Sequence, residues 1–137
     1  MSLDYEPEAE LVSEICAGAS DDVFQLFARR TARWKHPYMH CECFTVGNFD
    51  DLEQRIPRER AFSLIHRAAE LVLTQTDPDL FITALSLLAG LVRASDTTEM
   101  PGFFPQDMDA LRERVSVAPT SKAHVYWDFI LQWYRLT

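Results

Sequence analysis

Leu80-Phe-Ile-Thr-Ala-Leu-Ser-Leu-Leu-Ala-Gly-Leu-Val92 carries no charge over its whole length, and its only non-apolar members are Thr83, Ser86 and the small Gly90. Apolar side chains fall at every step of a helical wheel, so no face is left for water. A helix of that kind lies in the middle of a domain or in a membrane. As a helix the stretch rises only about 20 Å, short of the roughly 20 residues that a bilayer requires. It therefore predicts a buried central helix over about residues 78–94, with the other elements packed around it.

Working outward, Thr76-Asp77-Pro78 on its N-terminal side is a very short connection. Asp77 is placed to cap and Pro78 to take the first turn of the central helix. The preceding helix, Pro57 to about Thr74, must then fold back antiparallel. Its stripe is Phe62, Leu64, Ile65, Ala68, Ala69, Leu71 and Val72. Beyond the central helix, Ser95–Gly102 is a polar, acidic loop. Pro105 opens a helix with Met108, Leu111 and Val115 inward and Arg112, Glu113 and Arg114 outward. Pro119-Thr120-Ser121 leads into the last helix, Lys122 to Leu136, whose apolar residues are Val125, Tyr126, Phe129, Ile130, Trp133 and Tyr134.

In the first half, Leu11, Val12, Ile15 and Cys16 mark one face of a helix over Glu8–Ala17, followed by Gly18 at a C-terminal cap position. Ser20 is placed to cap a second helix, with Val23, Phe24, Phe27, Ala28 and Trp34 as its apolar positions and Arg29, Arg30 and Arg33 crowding its C-terminal end, where the dipole favours cations. Asn48 can cap a short helix through Asp50-Asp51-Leu52 that stops near Ile56, ahead of Pro57. Strand alternation is confined to Cys43–Val46. The expected fold is thus all-α: six or seven helices in stacked antiparallel hairpins, one domain over residues 1–137 with residues 1–7 as a loose acidic leader.

The net charge of −8 is unevenly spread. Residues 1–28 contain Asp4, Glu6, Glu8, Glu10, Glu14, Asp21 and Asp22 and no Lys or Arg; residues 77–109 contain six acids against Arg93 alone. The remaining segments are slightly basic. Nucleic acid is a poor partner for such a chain, since phosphates call for a basic stripe. The three cysteines, Cys16, Cys41 and Cys43, are an odd number, and two of them stand too close together for a disulfide framework. The opening Met-Ser-Leu-Asp-Tyr-Glu has no basic region leading into an apolar run. A reducing, cytoplasmic setting is the expectation, with no membrane partner.

Two constellations bear on chemistry. His36, His40, Cys41 and Cys43 fall within one short stretch, and all four types bind zinc. Zinc sites draw on two separated pairs, and no second pair follows downstream, so a plain loop is favoured over a metal site. The same residues offer a Cys–His nucleophile pair, but the third orienting group and the Gly-rich or strand–turn–helix contexts that accompany such chemistry have no counterpart. Asp21-Asp22, Asp50-Asp51, and Asp107 with Asp109 each stand near a helix start, where capping and the dipole account for them. The aromatics of the last helix span more than one face, and any left exposed would suit a protein interface.

The central Leu80–Val92 helix, the Ser-Asp-Thr-Thr-Glu-Met-Pro run at 95–101 and the terminal Trp127-x5-Trp133-Tyr134 helix together resemble the small all-helical immunity proteins of contact-dependent inhibition and related polymorphic toxin systems. The likeness covers about residues 57–137 and has no catalytic signature to transfer. It implies a non-enzymatic protein, without a cofactor, that binds one cognate toxin domain tightly, often a basic nuclease whose phosphate its carboxylates mimic. The expected contact residues are the acids of the two acidic segments with the loop threonines: Glu6, Glu8, Glu10, Glu14, Asp21, Asp22, Asp96, Thr97, Thr98 and Glu99. A helical adaptor or accessory subunit with a groove for a partner helix is the alternative.

Overall fold

The computed structural model describes residues 6–32, 49–102, 104–118 and 121–136. Among them the chain is all-helical, with seven helices in order: α1 (Glu6–Ala17), α2 (Val23–Ala32), α3 (Asp50–Arg55), α4 (Arg58–Thr74), α5 (Pro78–Ala94), α6 (Phe104–Ser116) and α7 (Lys122–Trp133). Asn48, Trp34 and the Cys43–Val46 alternation lie outside the described residues.

The α5 helix is the centre of the packing. Phe81 through Leu85 and Leu87 through Val92 are all buried, as an unbroken apolar wheel requires. Helices α3, α4 and α7 all pack on it, and α4 carries α2 and α6 on its other sides. Each large apolar side chain so buried contributes about 1.5–3 kcal/mol relative to exposure. Thr83 and Ser86 do not disturb this core, because their hydroxyls donate to the Asp79 and Thr83 carbonyls of the preceding turn. The α4 stripe is buried as its spacing demands, with Ala61 added and Phe62 only half-buried.

Several boundaries differ from expectation for local reasons. Helix α1 begins at Glu6, so Glu6 and Pro7 belong to its first turn and not to a leader; proline's fixed φ suits that position. Gly18 takes φ +83, and the Ala19 N–H donates to the Glu14 carbonyl at 2.8 Å, closing α1 as expected. The cap of α2 is Asp22, not Ser20: the Gln25 N–H donates to Asp22 Oδ1 at 2.8 Å, while Ser20 Oγ accepts the Asp22 N–H. Pro57 stands in extended conformation just before α4 instead of inside it. Asp77 occupies the cap position of α5, but its carboxylate makes no cap bond; its carbonyl accepts the Phe81 N–H.

Ala28 and Arg114 point against their expected direction. Leu26 is buried in α2 where Ala28 was expected, and Ala28 is exposed. Arg114 is not outward: it reaches across from α6 to donate to the Leu73 and Gln75 carbonyls and lies over the Phe81 ring. Val125 is exposed, and the inward positions of α7 belong to Ala123, Trp127 and Ile130. The α7 helix stops at Trp133, and Arg135 then turns the chain through φ +59. Met108, Leu111 and Val115 are buried as expected.

Candidate functional site

The acidic candidates occupy two places on the fold. Glu10 and Glu14, one turn apart on α1, are exposed, as are Asp21 and Asp22 in the α1–α2 turn. Asp96, Thr98 and Glu99 are exposed in the loop after α5, where Thr97 is half-buried. The side chains of Glu6 and Glu8 lie outside the described part of the chain.

Three arginines at the α3–α4 corner bring these two places together. Arg55 donates to Ser13 Oγ of α1 at 2.8 Å. Arg58 pairs with Asp96 at 3.2 Å. Arg60 pairs with Asp21 at 2.8 Å, and also donates to the Ser20 and Ile15 carbonyls. The guanidinium of Arg60 thereby covers the carbonyl end of α1, where a cation is favoured. Asp21 and Asp96, far apart in sequence, therefore both border this corner.

The pairings also sort the acids. Asp21 and Asp96 share their charge with an arginine, and the carboxylate of Asp22 is engaged in capping α2. Among the described residues, Glu10, Glu14 and Glu99 take part in no ion pair, so their charge faces solvent uncompensated. The Arg58–Asp96 pair is exposed on both sides, and such a pair contributes only about 0–1 kcal/mol. It shapes the surface more than it holds the fold.

The loop itself is more than a plain connection. Ser95 is buried, and its hydroxyl donates to the Val92 carbonyl. Asp96 adopts φ +54, a left-handed conformation that reverses the chain at the end of α5. Thr97 Oγ1 accepts the Glu99 N–H at 3.1 Å, and the Thr97 carbonyl accepts the Trp133 indole N–H at 2.8 Å. Trp133 also rests against Phe129, over which Arg93 lies. The loop is thus pinned to α4, α5 and α7, and it presents its acids from a fixed frame.

Other charged residues are engaged in structure. Arg30, only 6% exposed, makes a bidentate bond to Asp51, with both contacts at 2.8 Å, and so joins α2 to α3. Its guanidinium lies over Phe49, which stacks on Phe27. Burial alone would raise the Asp51 carboxyl, but the Arg30 hydrogen bonds and charge and the Leu52 N–H outweigh it and hold the group below its ordinary value. Asp107 is likewise more than a helix-start acid, because its buried carboxylate meets His66 Nδ1 at 2.6 Å and links α6 to α4. Glu53 of α3 lies across Gly90 to pair with Arg93 of α5. Burial pushes the Cys16 thiol up, more than Arg55 and Arg60 draw it down, which leaves it a poor nucleophile.

His36, His40, Cys41 and Cys43 lie outside the described residues, so the geometry of that stretch bears on neither a metal nor a nucleophile. No group of three His, Cys, Asp or Glu side chains suited to a metal ion occurs among the described residues. No helix among them is long and apolar enough to cross a membrane. Comparison with protein-family models, curated proteins and solved structures finds no match to this chain.

Proposed function

We propose that this chain is a non-enzymatic binding protein that captures a basic protein domain, and that the captured domain is a toxin which it neutralises. The observation that supports this reading most is that Glu10, Glu14 and Glu99 are exposed and, among the described residues, take part in no ion pair, while Asp21 and Asp96 both border the α3–α4 corner. A surface of that sign favours encounter with a cationic partner and disfavours nucleic acid. The loop that carries Asp96 and Glu99 is anchored through the buried Ser95 hydroxyl and the Trp133 indole, so little ordering is lost when a partner docks on it. Capture of this kind uses no cofactor, and a cytoplasmic site of action fits the odd number of cysteines in the sequence.

The test begins with the neighbouring genes: a basic toxin domain encoded there is purified and titrated with the chain, and the lack of any such gene overturns the toxin assignment. The expected result is one-to-one binding that weakens as salt rises, together with restored growth when the two are co-expressed. Absence of binding, or binding indifferent to salt, overturns the acidic-surface reading.

A second reading, an adaptor that docks a partner helix, draws on α7. Val125 is 66% exposed and Leu136 47%, beside half-buried Phe129 and Trp133. Under that reading Val125→Glu abolishes partner binding and neutralising the acids does not; under the first the outcome is reversed.

A further inference from the structure

We draw no further inference here: the strongest candidate, the apolar strip of Val125, Phe129, Trp133 and Leu136 along α7 and the turn after it, is a partly exposed helix face bordered by charges of both signs, and nothing in the structure shows what covers it.

Discussion

The α4–α5 hairpin and the α1–α3 region are held together by different physics. In the hairpin, apolar side chains meet on both helices and the connection is only Gln75 to Asp77. In the α1–α3 region the helices are short, and apolar contacts such as Leu11, Val12, Ile15, Leu26 and Leu52 are supplemented by arginines that reach between helices. Arg30 joins α2 to α3, Arg55 and Arg60 join α1 to the α3–α4 corner, and Arg93 holds α3 on α5 through Glu53. Short helices bury too little area to fix their own orientation, whereas a bidentate guanidinium fixes both distance and angle. The hairpin supplies stability, and the arginine contacts set the arrangement of the acidic surface.

If this contrast holds, the largest stability loss comes from the hairpin. Leu85→Ala should cost about 3–4 kcal/mol in denaturant unfolding, since a fully buried leucine leaves a cavity that the surrounding helices fill only in part. A loss below about 1 kcal/mol would mean that α5 is not the centre of the core.

Next in size is the α2–α3 link. Arg30→Met keeps most of the stem and removes the guanidinium, and it should cost about 1–3 kcal/mol, less than stranding a fully buried charge because Asp51 remains 44% exposed. The effect has a defined pH sense. The folded carboxyl of Asp51 titrates below its ordinary 3.8, so its contribution is present above that value and is lost as the pH falls through the lower folded value. The gap between parent and variant should therefore be full at neutral pH and shrink in acid. A gap constant down to pH 2 contradicts the pairing.

A smaller effect separates α3 docking from helix propensity. A Cβ on Gly90 would overlap the Glu53 carboxyl group. Gly90→Ala should move stability by less than about 0.5 kcal/mol, because the flexible Glu53 carboxylate swings aside and gives up its bond to Arg93, which offsets alanine's gain as the better helix former. In a Glu53→Ala background the obstacle is gone and the same change should stabilise. A double-mutant cycle without coupling would remove Glu53 from that groove.

The smallest effect is expected at the rim. Asp96→Asn keeps a residue that tolerates φ > 0 and gives up only an exposed pair, so stability should move by less than about 0.5 kcal/mol. A larger loss, measured by thermal unfolding, would make the Arg58 pair a structural element after all.

The hairpin was legible in the sequence and the arginine links were not. An uncharged run from Leu80 to Val92 has one sensible environment, and Pro78 marks the start of its helix. Local periodicity sees neighbours three and four residues away, whereas Arg30 meets Asp51 and Arg114 meets Leu73 across distant parts of the chain. Periodicity therefore assigns such arginines to solvent, as it did Arg114, or to the helix dipole, as it did Arg30. Asp107 does stand in the first turn of its helix, but its partner His66 lies on another helix and is invisible to local spacing. Choosing Asp22 over Ser20 as the cap depends on where the first helical residue falls, a shift of two residues that composition does not resolve. For the candidate site, the acids were visible in the sequence, but their meeting at one corner depends on Arg58 and Arg60, neither of which stood out by position.

The central claim is that the uncompensated acids take a basic partner while the arginine links set how the acidic surface is arranged. Its most direct measurement compares the parent with a variant carrying Glu10→Gln, Glu14→Gln and Glu99→Gln, in calorimetric titrations against a basic toxin domain, at low and physiological salt. The variant should unfold at nearly the parent's temperature yet bind about tenfold more weakly or worse, with a flatter salt dependence, as expected when several exposed charge contacts are lost. Equal affinity and an equal salt slope would contradict the account.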